Sequence, residues 1–248
     1  MNLILTMAGR GTRVNKYSLG RPKFTTLVNG ISLLERSLSS TSKLKFETIV
    51  VVCISEHNND YDIESQVNKC FKYSSVIMVT LKESTKSQVH SSYIGLEKID
   101  STKPVLIQNI DTQFLCDEIL DITWDKKSTI TVPVFESNNP MHSYVNRLND
   151  NSTVVVEGLS KNQSAGTALS GLYGFNNANE LKEAIFENLN IYHDESNELR
   201  FSTIINYLVS HGYALNTPML SDCTAFGSDE EIMLYLKSVN TINNKEYG

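Results

Sequence analysis

The sequence has few of the residues that build metal cages and disulfide frameworks. It contains five histidines and four widely separated cysteines, Cys53, Cys70, Cys116 and Cys223, in 248 residues. No CxxC pair, HExxH motif or closely spaced pair of histidines occurs. We therefore expect no zinc site, and the cysteines are typical of core or surface thiols in a reducing compartment.

Long apolar runs and a targeting pattern are also missing. No stretch approaches the roughly 18–20 apolar residues that cross a bilayer. The first residues lack the basic region, apolar core and cleavage site of a secretory signal. We expect a cytoplasmic protein without a membrane partner. A net charge of -6 also argues against general binding of nucleic acid, which needs a broad basic face.

Acidic residues are absent before Glu35, and positive charge concentrates in the same stretch. The apolar run 2–7 leads into Gly9 and Gly11, and the basic residues around and after these glycines are Arg10, Arg13, Lys16, Arg21 and Lys23. A glycine-rich turn lined with fixed positive charge suits a polyphosphate, because backbone N–H groups approach the anion closely and the side chains neutralise it. The alternative is a solvated basic loop.

Apolar periodicity in the first half predicts strands that alternate with helices. The predicted strands are 2–7, 47–53, 75–81 and 104–108, and the predicted helices are 31–40, 62–73 and a segment with Val89, Tyr93, Leu96 and Ile99 on one face. This alternation is typical of a mostly parallel sheet. Since ligands bind beyond the carboxyl ends of such strands, the loops 8–23, 82–88 and 109–112 should lie along one edge.

The second half has a different pattern. Its predicted strands are 128–135, 142–148, 152–157, 169–175 and 213–220, with a turn at 149–152, and its predicted helices are 177–189, 201–209 and 229–239. No linker rich in proline or glycine divides the chain. We expect one α/β domain, residues 1–248, whose more antiparallel second half covers the edge where the loops meet.

Two well-known phosphate-binding signatures fit the glycine loop poorly. A P-loop needs GxxxxGK[ST], which Gly9 or Gly11 followed by Lys16 does not supply. A dinucleotide fingerprint needs GxGxxG, but Val14 stands where the third glycine belongs. The acidic residue of that fingerprint could only be Glu35, which lies within a predicted helix instead of at a strand end.

The residues as they stand resemble the signature of the nucleoside-diphosphate-sugar pyrophosphorylase family of nucleotidyltransferases. That family carries (A/M)AGxGxR, then PK, then a hydrophobic residue and a small turn before the first helix. The sequence matches this signature at Met7, Ala8, Gly9, Gly11, Arg13, Pro22, Lys23, Asn29 and Gly30. Both halves of the signature occur in order and at suitable spacing.

The resemblance extends through most of the chain and is closest to compact family members. Its further marks are Ser87 and Gln88, Asn109 and Asp111, Lys161, the stretch LSGLYGF at 169–175 and the stretch FGSDEEI at 226–232. Compact members activate sugar phosphates or compounds such as phosphocholine for surface polysaccharide or capsule synthesis. The resemblance implies a three-layer α/β/α Rossmann-like (GT-A-like) nucleotidyltransferase fold with a mainly parallel mixed central sheet.

The implied reaction moves a nucleoside monophosphate from a nucleoside triphosphate to a small phosphorylated acceptor and releases pyrophosphate. Arg13 and Lys23 are the implied catalytic residues, because this chemistry depends on positioning and charge neutralisation. Asp111 is the implied ligand of a Mg²⁺ cofactor, which commonly takes one or two protein carboxylates and phosphate oxygens. An aspartate that only caps the turn after its strand is the alternative for Asp111.

Binding candidates follow from the same resemblance. In a nucleotide-binding half, 1–125, they are Met7, Ala8, Gly9, Gly11, Lys82, Ser87, Gln88 and Asn109. In an acceptor-binding half, 126–248, they are Tyr144, Lys161, Ser170 and Gly171. Thr85 and Gln88 also form a T-x-x-Q capping box, so a structural role for Gln88 stays open, as does a plain surface position for Lys161.

The sequence departs from the family pattern at one place. Many relatives carry a second metal-binding acid two residues before the late glycine, where this chain has Ala225, and neither Asp222 nor Asp229 matches that position. The rival function is a nucleotide-sugar-dependent glycosyltransferase of related fold. That rival would carry a DxD motif where Asp111-Thr-Gln stands. A non-catalytic nucleotide-binding regulator is a third hypothesis, suggested by the missing acid.

The sequence leaves the base and the acceptor open. Its short length and its resemblance to compact members favour CTP, followed by UTP or dTTP. The acceptor is a sugar phosphate, phosphocholine or another small phosphate ester. A homodimer is compatible with the sequence, which does not define an oligomeric state.

Overall fold

A seven-stranded sheet forms the centre of the protein. The structure, a computed structural model, describes residues 1–100, 102–120, 129–147, 153–159, 164–191 and 198–246. In chain order the strands are β1 (Asn2–Thr6), β2 (Leu27–Val28), β3 (Ile31–Ser32), β4 (Thr48–Ile54), β5 (Ser75–Leu81), β6 (Val105–Gln108), β7 (Thr112–Phe114), β8 (Thr129–Thr131), β9 (Val134–Ser137), β10 (Ser143–Arg147), β11 (Thr153–Glu157), β12 (Gly166–Leu169), β13 (Leu172–Phe175), β14 (Ala214–Asn216) and β15 (Cys223–Ala225). The helices are α1 (Leu33–Thr41), α2 (Ser55–Tyr61), α3 (Ile63–Cys70), α4 (Gln88–Leu96), α5 (Cys116–Leu120), α6 (Ala178–Ile191), α7 (Phe201–Ser210) and α8 (Asp229–Glu246).

The strand order confirms the predicted mainly parallel mixed sheet. The order is β14-β8-β13-β6-β1-β4-β5. Strand β1 pairs in parallel with β4 and β6, and β4 pairs in parallel with β5, whereas β13 runs antiparallel to both of its neighbours. A four-stranded antiparallel sheet, in the order β11-β10-β12-β9, comes entirely from the second half of the chain.

Helices cover both faces of the large sheet, because successive strand side chains point to opposite faces. Ile4 of β1 lies in a buried cluster with residues of α4, α6 and α7, such as Leu96 and Ile204. Its neighbour Leu3 lies in a second buried cluster with residues of α1 and α3, such as Leu38. The expected three-layer α/β/α arrangement is therefore confirmed.

Two segments that the apolar pattern predicts as single strands each divide between the two sheets. Segment 128–135 contributes to β8 in the large sheet and β9 in the four-stranded sheet, and segment 169–175 divides in the same way between β12 and β13. At the crossing, the N–H of Ser170 donates to the carbonyl of Pro133 over 3.0 Å. Both sheets bury apolar residues, so hydropathy alone does not reveal the crossing.

The predicted helices are present with shifted ends. The structure also contains α2, which the apolar pattern does not predict. It precedes the helix predicted at 62–73, and no residue of α2 is buried, so it lacks the periodic apolar signal of an amphipathic helix. The predicted turn at 149–152 lies outside the described residues, and the division into halves at 125/126 stays a prediction. Within the described part of the chain, no helix is long and apolar enough to cross a membrane.

A buried glutamine attaches α1 to the end of β6. The Nε2 of Gln108 donates to the Ser37 carbonyl over 2.7 Å and to Ser37 Oγ over 2.9 Å. Its Oε1 accepts from the Thr41 hydroxyl over 2.8 Å. Because every polar atom of this buried amide is paired, the contact fixes the helix against the strand that carries Asn109 and Asp111.

We predict that Gln108→Leu lowers the free energy of unfolding by about 2–3 kcal/mol, because the buried Ser37 carbonyl and Thr41 hydroxyl lose their partner. Urea denaturation measures the change. Gln66→Ala is the control, since the Gln66 amide makes one hydrogen bond, to the Tyr61 carbonyl, from a half-buried position. Equal losses in the two variants would contradict the role assigned to Gln108.

Candidate active site

The predicted edge forms where β1 ends. The N–H of Thr85 donates to the Ala8 carbonyl over 3.0 Å and joins the loop before α4 to the glycine loop. Gly11 has a φ of +63°, and a Cβ on Gly11 would lie 2.9 Å from the Cβ of Lys23. Glycine is therefore required at this position, both for the left-handed backbone and for the close approach of Lys23.

Lys23 connects three parts of the chain. Its Nζ donates to Asp111 Oδ2 over 2.5 Å and to the Gly227 carbonyl over 3.1 Å. The side chains of Lys23 and Asp111 are 10% and 20% exposed. Burial works to raise the pKa of Asp111, but the charge and hydrogen bond of Lys23, followed by the charge of Arg13, hold this pKa below its usual value. Asp111 is therefore an anion at neutral pH.

The first turn of α8 holds the glycine loop through Asp229. Its carboxylate accepts backbone hydrogen bonds from Asn15, Lys16 and Tyr17 over 3.2, 3.0 and 3.3 Å. The N–H of Asp229 in turn donates to the Arg13 carbonyl over 3.2 Å. The N–H of Lys16, with those of Tyr17 and Asn15, keeps the pKa of Asp229 below its ordinary value against the opposing effect of burial.

A second carboxylate of α8, Glu231, turns towards the four-stranded sheet. Its Oε1 accepts from Asn139 Nδ2 over 2.8 Å and from His142 Nε2 over 2.6 Å. The other ring nitrogen of His142 faces Ser137 Oγ at 2.9 Å. Burial works to raise the pKa of Glu231, but the His142 and Asn139 contacts outweigh it and keep this pKa below its usual value, although the charge of Asp111 opposes them.

The structure corrects the expected capping box at the start of α4. Ser87, and not Thr85, is the N-cap, and its Oγ accepts from the His90 N–H over 3.1 Å. Gln88 is instead the first residue of the helix, and its Nε2 donates to Thr6 Oγ1 over 3.1 Å. The amide of Gln88 thus lies at the end of β1, where the glycine loop begins.

Asn109 is held firmly beside Asp111. Its N–H donates to the Gly171 carbonyl over 3.1 Å, and its Nδ2 donates to Thr112 Oγ1 over 3.1 Å. Its buried Oδ1 has no hydrogen-bond donor among the described residues. An unpaired buried acceptor is unusual in a native structure.

The other candidates take different positions. Met7 and Ala8 are buried, whereas Gly9 and Lys82 are exposed. Tyr144 and Ser170 are almost fully buried, and the Tyr144 hydroxyl donates to the Asn139 carbonyl over 2.7 Å. Tyr144 thereby supports the segment that holds Glu231, and its role towards an acceptor stays a prediction. Lys161 lies outside the described residues.

The residues around Asp111 fit a divalent cation. Asp111 Oδ2 and the Gly227 carbonyl oxygen already share one positive charge, the Lys23 ammonium. A Cβ on Gly227 would lie 3.7 Å from Asp111 Oδ2 and 3.0 Å from Glu231 Oε2, so the missing side chain leaves room between the two carboxylates. Carboxylate and carbonyl oxygens are the ligands that Mg²⁺ prefers. Within the described residues no three His, Cys, Asp or Glu side chains form a metal cage, and Mg²⁺ does not need one when phosphates complete its shell.

Position 225 lies beside this site but carries no acid. Ala225 pairs with Thr112 in the β15–β7 ladder, and the Phe226 N–H donates to the Asp111 carbonyl over 2.7 Å. The Ala225 side chain packs against the hydrophobic cluster of Phe135 and Tyr144. The side chain at this position is therefore part of an apolar contact.

Sequence reasoning missed two groups at this edge. Asp229 does not match the family's second metal-binding position, and the structure shows it holding the backbone of the glycine loop. Nothing in the sequence predicts the Glu231 contact with Asn139 and His142. The S-x-x-E pattern at Ser228 and Glu231 predicts a capping box with the Glu231 side chain folded back on the helix start, not a contact with the other sheet.

We predict that Asp229→Ala lowers the melting temperature by about 2–4 °C at pH 7, because losing the hydrogen bonds that three loop N–H groups donate to this carboxylate costs about 1 kcal/mol. Because folding lowers the pKa of Asp229, its stabilising effect is complete above the unfolded pKa of about 3.9 and disappears as the pH falls through the folded value. Thermal unfolding of wild type and variant between pH 3 and pH 7 measures this. Glu230→Ala, an exposed neighbour, is the control, and a difference that does not shrink in acid would contradict the assignment.

Comparison with known proteins identifies the family. Residues 3–168 match the MobA-like NTP transferase domain. A nucleoside-diphosphate-sugar pyrophosphorylase from Vibrio cholerae RC9 has a similar structure, with a TM-score of 0.73 and 19% identity over 95% of this chain and 99% of the other. An inositol-1-phosphate CTP transferase from T. maritima is similar with a TM-score of 0.71 and 15% identity, over 95% of this chain and 96% of the other. A search of curated proteins found no match. These findings confirm the resemblance carried by MAGRGTR and RPK: the chain belongs to the MobA-like NTP transferase family, and it is a nucleotidyltransferase.

Proposed function

We propose that the protein transfers a nucleoside monophosphate from CTP to a small phosphorylated acceptor and releases pyrophosphate. UTP and dTTP are the next candidates for the nucleotide. The acceptor is a sugar phosphate or another small phosphate ester such as phosphocholine, and the product is a precursor of a surface polysaccharide or capsule. The observation that carries the proposal is the contact of Lys23 with both Asp111 and the Gly227 carbonyl. This contact brings the lysine ammonium, a carboxylate and the glycine loop together at one edge of the sheet.

The basic side chains have the roles that this transfer needs. An oxygen of the acceptor phosphate attacks the α-phosphorus, the bond to the β-phosphate oxygen breaks, and negative charge grows on the leaving pyrophosphate. Lys23 and Arg13 stabilise that charge, and the amides of the loop around Gly9 and Gly11 approach the phosphates. Arg13 is exposed, as are Arg10, Lys16 and Arg21, but only the charge of Arg13 acts on Asp111 among these four. Arg10, Lys16 and Arg21 add only general attraction for the anion in our proposal.

The nucleoside part fits the groups between the glycine loop and α4. The Gln88 amide lies beside Thr6 and offers both a donor and an acceptor to the edge of a base. The Oδ1 of Asn109, which has no donor within the described structure, is suited to a hydroxyl group of the ribose. Lys82, Ser87, Met7 and Ala8 complete this nucleotide-binding part in our proposal. The preference for CTP draws on the short chain and on the named CTP transferase among the similar structures.

Asp111 would hold Mg²⁺ in this proposal. The bound ion would neutralise phosphate charge in the site and orient the triphosphate. Its oxygen ligand set would include the carboxylate that now pairs with Lys23, so Lys23 would be released towards the leaving pyrophosphate.

The second half, residues 126–248, would bind the acceptor. Lys161 would contact the acceptor phosphate, while Ser170 and Gly171 lie where the two sheets meet, next to Asn109. Tyr144 would shape this pocket from behind, since its hydroxyl is bonded to the Asn139 carbonyl.

We predict that Lys23→Ala lowers turnover at least about a hundredfold while the fold survives, because one fixed donor aimed at developing charge is worth about 3 kcal/mol. A coupled assay of pyrophosphate release measures turnover, and circular dichroism checks the fold. Lys16→Ala is the matched control, expected to stay within about twofold since its exposed side chain makes weak contacts. Near-normal turnover of Lys23→Ala would remove Lys23 from the site.

We predict that CTP with Mg²⁺ stabilises the protein more than the other nucleoside triphosphates do. A ligand present at 100 times its dissociation constant adds about 2.7 kcal/mol to stability, which a thermal-shift series over all common triphosphates detects. Stabilisation by a purine nucleotide alone would contradict the pyrimidine preference.

Pyrophosphate release separates the proposed reaction from its rivals. A nucleotide-sugar-dependent glycosyltransferase consumes a sugar nucleotide and releases a nucleotide without pyrophosphate. A nucleotide-binding regulator turns over neither substrate. If no pair of triphosphate and phosphorylated acceptor yields pyrophosphate, the proposed function fails.

A further inference from the structure

The carboxylate of Glu231 is placed unusually for a residue in the first turn of a helix. The pattern of Ser228 and Glu231 predicts a side chain that folds back on the helix start. Ser228 does cap the helix, because its Oγ accepts from the Glu231 N–H over 3.3 Å. The Glu231 carboxylate instead reaches Asn139 and His142 in the other sheet, and only 10% of its side chain is exposed.

The same carboxylate faces Asp111 across Gly227. A Cβ added to Gly227 would lie 3.0 Å from Glu231 Oε2 and 3.7 Å from Asp111 Oδ2. Two carboxylates that face the same small and partly buried space repel each other unless a cation lies with them. At present Lys23 pairs with Asp111, and the Glu231 carboxylate contacts His142, Asn139 and Ser228.

We propose that Glu231 supplies the second negative charge of the cation site beside Asp111, and that Asn139 and His142 are positioning residues that hold it there. This inference rests on the proposed function, because Lys23 must leave Asp111 for the pyrophosphate before the cation is needed. Once Lys23 has left, Asp111, Glu231 and the Gly227 carbonyl form an oxygen-lined space that no longer contains the lysine ammonium. That set of oxygens suits Mg²⁺ or Mn²⁺.

The four-stranded sheet thereby takes part in cation binding. Asn139 follows β9 and His142 precedes β10, so both lie in the connection between these two strands of that sheet. Ser137 Oγ faces the His142 ring and also accepts from the Asn139 N–H over 3.1 Å. The β9–β10 connection therefore presents two fixed donors to one carboxylate oxygen, Oε1, and leaves Oε2 directed towards Gly227.

Mn²⁺ binding tests this inference without reference to the base or the acceptor. Electron paramagnetic resonance of free Mn²⁺ gives the dissociation constant in the presence of pyrophosphate, the product common to every triphosphate. Glu231→Gln keeps an oxygen that can accept from Asn139 and His142 but removes the charge. Glu230→Gln makes the same change on an exposed neighbour, and Asp111→Asn removes the first carboxylate.

We expect Glu231→Gln to raise the Mn²⁺ dissociation constant at least about tenfold, with a melting temperature close to that of wild type. Glu230→Gln should stay within about twofold, and Asp111→Asn should abolish binding. In turnover, Glu231→Gln should need more Mg²⁺ for half-maximal pyrophosphate release and should recover part of its rate at high Mg²⁺.

The inference is overturned if Glu231→Gln binds Mn²⁺ as wild type does. In that case wild-type pyrophosphate release still supports the proposed function, and Glu231 only ties α8 to the β9–β10 connection. Release of pyrophosphate by wild type without detectable Mn²⁺ binding also overturns the inference. Loss of both Mn²⁺ binding and pyrophosphate release in wild type overturns the inference together with the proposed function.

Discussion

The ion pair of Lys23 and Asp111 is the contact on which the arrangement of the site depends. It joins residues 88 positions apart in sequence and adds the backbone of Gly227 from the far end of the chain. A partly buried pair of this kind contributes little net stability, because desolvation offsets most of the attraction. In the proposed reaction its value lies in exchange: a phosphate would replace the carboxylate at Lys23, and a divalent cation would replace the ammonium at Asp111. The pair would thus keep both charges in position until their ligands bind.

The sheet topology makes this contact possible. Strands β1 and β6 are parallel neighbours, so the glycine loop and the turn that carries Asp111 begin at the same edge. Gln108 fixes α1 to the last residue of β6, and Asp229 fixes the loop to the last helix. Three distant parts of the chain therefore meet at one point and are held there by hydrogen bonds of the Gln108 and Asp229 side chains.

Much of this could be predicted from local sequence. The strand Ser75–Leu81 has the predicted ends, because a β-branched run between polar residues has few alternatives. Gly11, which allows the close approach of Lys23, could also be predicted, because it belongs to a short motif in the sequence. Prediction fails where the answer depends on distant partners: the crossing at Pro133 and Ser170 joins two sheets that bury similar residues, and Ser87 replaces Thr85 as cap because of how the preceding loop meets Ala8.

The last helix shows why the family spacing, two residues before the late glycine, does not lead to Glu231. Its first turn carries Asp229, Glu230 and Glu231 in succession, and residues one apart on a helix point about 100° apart. One of these acids consequently holds the glycine loop, one faces solvent and one faces Asp111, and only the docking of the helix decides which. An acid at position 225 would instead lie on a strand against Phe135 and Tyr144. The Glu231 carboxylate comes from the helix and reaches Gly227, where an added Cβ would lie 3.0 Å from its Oε2, so the missing side chain leaves this oxygen room.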